Sequence, residues 1–398
     1  MKTDVQPMDR PRSVSLAYLR AFLTLLVVLH HSLLAYCSFL PPHATTLDAN
    51  LLWSAFPVID SQRWSGADLI VGFNDAFFMS LMFLISGVFV WPSLKRKGAG
   101  SFVRDRLLRL GIPFVLAAGL LAPLAYYASW LSMPPQASSF WHQWLALGVW
   151  PAGPAWFLWV LLVFGGVAAL LYRFMPEWGS ALGRIAGWLG ARPTVFFLTV
   201  LIASSLMYLP MAAAFDPMRW IKAGPFFVQI SRVLHYALYF FVGVGIGACG
   251  SSQGLFRADG TLARRWPAWV VLMLLTFLAS IAVTLVIIGT LGKGGPGPVL
   301  ATLGHFMFVV SCAVTSFAFL SLFTRFARKS RGVLDSLSAN AYGIYLLHYA
   351  CVTWLQLAML HVAAPGVAKG AVVFAGAVAL SWSLSAALRR IPAVARIV

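Results

Sequence analysis

Arg20 and His31 stand eleven residues apart in the first apolar run of the chain, Tyr18 to Cys37. On an α-helix eleven residues turn through about 1100°, three turns and roughly 20°, so both side chains share one stripe with ~16.5 Å of rise between them. A guanidinium and an imidazole on one face of an apolar helix are costly in hydrocarbon, and groups retained there mark functional sites. The chemistry they suit is anion binding by the arginine at one end and proton abstraction by a neutral imidazole at the other.

Depth brings further groups into range. A first helix running outward from the cytoplasm puts Arg20 near the inner interface and His31 toward the outer third of the bilayer. The second helix runs back inward, so Asp75 near its start falls in the outer third too. A carboxylate on one nitrogen of His31 would set its tautomer and leave the other nitrogen as proton acceptor, so Asp75 and His31 are expected to pair as a general base. The alternative for Asp75, which follows Asn74, is an interfacial helix cap. His30 projects about 80° away from the Arg20 stripe, where packing or support is expected of it. Arg232 and His235 share a helix face at i, i+3 near the outer side. These two, with His30 and His348, are candidate cavity-lining residues, and His305 is a weaker one.

The elements that hold these residues are transmembrane helices. The chain is 60% hydrophobic and 10% charged, with 16 Trp, 11 Tyr and 30 Phe, the composition of an all-α polytopic membrane protein with interfacial aromatic belts. At ~20 apolar residues per crossing, ten spans are expected, at 17–37, 69–91, 107–131, 154–175, 194–214, 233–249, 266–291, 299–324, 339–361 and 368–388. Residues 1–16 and 389–398 are then a cytoplasmic segment and a cytoplasmic tail flanking one transmembrane domain, 17–388. The net charge of +18 invites a nucleic-acid reading, which topology removes. Loops on the side of the termini carry 22 Lys and Arg and the opposite loops five, Arg63, Arg219, Lys222, Lys293 and Lys369. That asymmetry is the positive-inside pattern, so the basic residues report orientation and both termini are cytoplasmic.

Four cysteines lie in or beside apolar runs without metal-ligand spacing, so neither a disulfide framework nor a metal centre is expected. The polar start and the long first apolar run read as an uncleaved helix rather than a signal peptide. Two outer loops are long. Residues 39–68 hold Pro41, Pro42, His43, Asp48, Asp60 and Asp68, and 132–153 hold the aromatic stretch Phe140–Trp144, which suits either an interfacial belt or a lid over an outward-facing site. No internal repeat is visible, which weighs against the inverted-repeat architecture of many transporters.

Several blocks, in order, carry a resemblance. They are Arg20 and His31 with ten residues between them; Phe83-Leu84-Ile85-Ser86-Gly87; Phe102, Arg106, Arg109 and Pro113; Pro154-Ala155-Trp156-Phe157-Leu158; and Ala341-Tyr342-Gly343-Ile344-Tyr345-Leu346-Leu347-His348. Together they resemble the acyltransferase 3 family of polytopic membrane enzymes, over about residues 14–388. One departure is Ala17-Tyr18-Leu19, where family members often have Asp-Gly before the motif arginine.

The resemblance implies a ten-helix bacterial inner-membrane O-acyltransferase. It would move an acyl group, acetyl or succinyl, from cytoplasmic acyl-CoA to a hydroxyl of an envelope glycan or glycolipid. His31 corresponds to the family's essential histidine and Arg20 to its motif arginine. Acyl-CoA is a co-substrate, no tightly bound cofactor is implied, and envelope-biosynthesis proteins are candidate partners. A CoA headgroup is polyanionic, and the basic run ending in Arg104, Arg106 and Arg109 suits it at the cytoplasmic face. The pantetheine arm would then extend along the first helix from Arg20 to His31. Direct transfer and an acyl-histidine intermediate both fit, while Ser86 beside Gly87 suits close helix packing better than attack. The competing reading is a secondary transporter or flippase for a polar or anionic small molecule, which would also line its path with intramembrane ionisable groups.

Overall fold

The computed structural model describes residues 14–39, 46–47, 58–135, 137–250 and 254–397. Pro41, Pro42, His43 and Asp48 of the first outer loop, and most of the expected 1–16 segment, lie outside the described residues. The chain forms helices α1 Val14–Leu34, α2 Ser65–Val88, α3 Val90–Leu131, α4 Phe140–Ala146, α5 Trp156–Phe174, α6 Trp178–Gly190 and α7 Pro193–Ala214. An antiparallel hairpin follows, β1 Trp220–Ala223 and β2 Phe226–Gln229. Then come α8 Val233–Cys249, α9 Trp266–Ile288, α10 Pro298–Phe326, α11 Gly332–Met359 and α12 Gly366–Leu388.

Among the described residues, nine helical stretches are long and apolar enough to cross a membrane. The tenth expected span, 339–361, lies in α11, which has the length at 28 residues but interrupts its apolar surface with Asn340, His348 and Gln356. Large apolar side chains cover the outside of the bundle, as lipid contact requires. On α9, for example, Leu274, Leu275 and Leu278 are all more than half exposed.

Three sequence expectations are corrected here. The basic stretch Lys95–Arg109 is not a loop but part of α3, which turns at Gly98 (φ 74°) and then continues through two π-turns, Leu107–Gly111 and Ala117–Leu121. Each π-turn lies just before a proline, Pro113 or Pro123, whose missing N–H breaks the regular ladder. Pro113 leaves the Arg109 carbonyl without its helical donor, and the Tyr342 hydroxyl of α11 donates to it instead. Second, Asp75 is no cap: it lies ten residues inside α2. Third, Lys369 is not in an outer loop but buried in α12, where its Nζ meets Asp60 at 2.8 Å, both side chains being 2% exposed.

Glycine sets the facing of α2. A Cβ on Gly243 of α8 would lie 2.0 Å from the Leu84 carbonyl oxygen, and one on Gly247 1.9 Å from that of Val88. A Cβ on Gly87 would meet the Phe240 carbonyl oxygen at 2.0 Å. The two backbones touch along this seam, the small-residue packing of membrane helices, at Gly87 next to Ser86.

Candidate active site

His31 sits in the last turn of α1, where four carbonyls lack intrahelical donors. All four are met. Gln356 Nε2 of α11 donates to His31 O (3.0 Å) and Ser32 O (3.3 Å), Tyr36 N to Leu33 O (3.0 Å), and Cys37 N to Leu34 O (3.3 Å). The backbone that carries His31 is therefore held from a second helix. Its ring is held as well, since Nδ1 lies 2.8 Å from the Val27 carbonyl oxygen and so donates to it. That tautomer leaves Nε2 with its lone pair, and among the described residues no hydrogen bond reaches it. His348 of α11 is built the same way: its Nδ1 donates to Tyr345 O at 2.6 Å, and its bare Nε2 faces His31 Nδ1 at 3.4 Å.

Aromatic rings enclose the pair. Tyr349 stands edge-on to His31 with ring centres 5.7 Å apart, and Tyr126 of α3 packs on Tyr349. Trp144 of α4 covers Tyr126, so the short outer helix roofs this cluster. The aromatic stretch expected as either belt or lid therefore contributes buried residues, Phe140 and Trp144, over the histidines, while Trp141 remains exposed.

Asp75 does not pair with His31. Its carboxylate takes two hydrogen bonds from Arg232, Nη1 to Oδ1 at 2.9 Å and Nη2 to Oδ2 at 2.6 Å. Asp75 lies close to the level of His31, with His30 beside both groups, but its carboxylate meets the residue that precedes α8 rather than α1. Arg232 also lies over the Phe308 ring at 4.6 Å. His30 fills the space between the two groups. Its ring centre is 5.3 Å from that of His31, it stacks on Phe78, and its electrostatic neighbours are Asp75 and Arg232. His30, expected to pack or support and named as a candidate cavity residue, thus stands between the two polar clusters. His235 is fully buried next to them, Nε2 3.4 Å from Cys312 Sγ.

Arg20 is exposed, toward the opposite end of α1 from His31, and the helix between them is unbroken, so the shared stripe holds. The path along that stripe does not. Thr24 and Val27, which lie on it, are each 2% exposed, so packed side chains fill the expected route of the donor arm. On α3, Arg104 and Arg109 are exposed and Arg106 is half-buried, its guanidinium 4.9 Å over Phe102. Arg109 is tied by its carbonyl to Tyr342 of α11.

A family model described as an acyltransferase domain matches residues 13–386. The chain belongs to the acyltransferase 3 family. No curated protein and no solved structure matches it. In this acyltransferase three of the family blocks meet: α1 brings His31, α11 brings Tyr345 and His348, and the Tyr345 hydroxyl donates to the Pro154 carbonyl in the turn before α5. Further contacts around this centre and at the end of the bundle are not evident from the sequence. Gln356 continues the buried His348–Val352–Gln356 stripe at i, i+4, i+8, a spacing that could have found it. Tyr126 and the Asp60–Lys369 pair left no such trace, because they are contacts between distant segments.

Proposed function

We propose that this acyltransferase moves an acetyl or succinyl group from cytoplasmic acyl-CoA to a hydroxyl of an envelope glycan or glycolipid, in a bacterial inner membrane, with His31 as general base. The observation that carries the reading is the His31 ring itself: Nδ1 is committed to Val27 O, which points to Nε2 as the proton acceptor. Nε2 takes the proton of the acceptor hydroxyl as its oxygen attacks the thioester carbonyl. The tetrahedral centre collapses, the C–S bond breaks, the ester forms, and the proton passes from His31 to the departing CoA thiolate. The imidazolium formed in between stands at the negative end of the α1 dipole, which stabilises a cation there by roughly 0.3–1 kcal/mol. Holding donor and acceptor together contributes more, about 7–11 kcal/mol of barrier.

Arg20, Arg104, Arg106 and Arg109 would bind the anionic headgroup at the cytoplasmic face. Since the α1 stripe is filled, the face of α11 is the better guide for the pantetheine arm. It starts at Tyr342, bonded to Arg109, and reaches Tyr349 beside His31 after seven residues, ~10.5 Å of helix. Half-buried Tyr342 and Leu346 line that face.

The test is His31→Ala and His31→Gln in cells that insert the protein normally, read by mass spectrometry of envelope glycans against a deletion strain. Loss of an acyl mass with both variants is expected. Retained acylation combined with lost uptake of a small molecule would instead establish a transporter.

A further inference from the structure

The Asp75–Arg232 pair is asymmetric. Arg232's side chain is 5% exposed and Asp75's 43%, so the pair presents its carboxylate and hides its cation. The helix that carries this carboxylate packs against α1, α8 and α10, and Phe308 of α10 covers the guanidinium. A carboxylate left open to hydrocarbon at this depth would be costly, so the space it faces is polar. Each carboxylate oxygen spends one acceptor position on Arg232 and keeps another. Around it, Arg232 Nε and His30 Nδ1 are buried without a hydrogen-bond partner. Unpaired buried groups of this kind are costly unless a ligand or water meets them.

The pair carries no net charge, so neither a free anion nor a free cation gains much there. What fits open carboxylate oxygens backed by a neutralising arginine is a donor without charge, a hydroxyl. Resting on the reading of His31 as the reacting base, we propose that Asp75 and Arg232 form the hydroxyl-binding subsite of the acceptor, and that the acceptor is a neutral polyol. Asp75 takes hydrogen bonds from hydroxyls next to the reacting one, and His30 stands between this anchor and His31, one residue along α1. Arg232 ends the 3-10 turn Ile230–Arg232 that adjoins the β1–β2 hairpin, which places the subsite in the outer half of the bundle, opposite the donor's basic rim. Asp75 acts here as a binding residue and takes no proton.

The experiment uses the full chain in lipid nanodiscs, since sugar-headed detergents would compete. Melting temperature is read with neutral methyl glycosides (gluco, galacto, manno) and with glucuronate. A rise with at least one neutral glycoside, none with glucuronate, and loss of the rise in Asp75→Asn are expected. The double variant Asp75→Asn/Arg232→Gln removes both charges together and covers the case in which the single variant does not fold. Turnover with acetyl-CoA and the stabilising glycoside supplies a second reading. Asp75→Asn should raise the acceptor KM roughly 10- to 100-fold, the loss of one charge-assisted hydrogen bond, and leave the acetyl-CoA KM unchanged. No shift with any neutral glycoside, a larger shift with glucuronate, or a kcat loss at constant acceptor KM would overturn the proposal. Turnover surviving in His31→Ala would overturn the base assignment instead, and the melting measurements stand apart from it.

Discussion

Replacing Lys369 by Met tests the outer clasp of the bundle. The ammonium donates to Asp60 Oδ2 at 2.8 Å and to the Leu360 carbonyl at 3.2 Å, while Asp60 Oδ1 accepts from Gln62 N at 2.8 Å. Asp60 N in turn donates to Ala35 O, just past the end of α1. Among the described residues, Lys369→Met therefore leaves a buried carboxylate with one hydrogen bond and no counter-charge. Breaking one side of such a pair costs about 3–5 kcal/mol, an unfolding constant shifted by roughly two to four orders of magnitude. Asp60→Asn should cost a comparable amount by stranding the ammonium. The double variant removes both charges, so it should lose much less than the sum of the single changes. The assay is reversible unfolding in mixed micelles with increasing SDS, followed by tryptophan fluorescence. Lys95→Ala is the control, because its pair with Glu177 is solvent-exposed on both sides and no measurable change is expected. A Lys369→Met loss under about 1 kcal/mol, or single changes that simply add, would refute the argument that this pair is buried and coupled.

Other outcomes follow from the same packing. Gly247→Leu should abolish stable insertion or lower the melting temperature sharply, because its Cβ alone would lie 1.9 Å from the Val88 carbonyl oxygen, whereas Gly72→Ala, with nothing near its Cβ, should be neutral or stabilising in the same melt. His348→Ala should lower kcat about 10- to 100-fold without abolishing turnover, since His31 keeps its bond to Val27 and loses only its neighbour, as steady-state kinetics would report. Tyr342→Phe should raise the acyl-CoA KM by releasing the Arg109 carbonyl, with the acceptor KM unchanged. Cys37, fully buried, should resist maleimide in the folded protein and react after denaturation, scored by intact mass.

The helical architecture and the two ends of α1 were legible in the chain alone. Each rests on a local rule: about 20 apolar residues for a crossing and 100° of turn per residue. Those rules also put Asp75 at the level of His30, which stands beside both Asp75 and His31. They could not say which neighbour it faces, because rotation about a helix axis is set by what packs against it. Here Asp75 meets Arg232, just before α8, and His31 is left to Val27, His348 and Gln356. Likewise Lys369 reads as a loop cation until the Asp60 segment folds over it, and the α1 stripe reads as a path until Val27 joins the packed core. Periodicity along one chain determines what lies at each height and on which stripe. Only the packing of separate helices decides which stripes meet, since that choice depends on backbone distances between residues far apart in sequence.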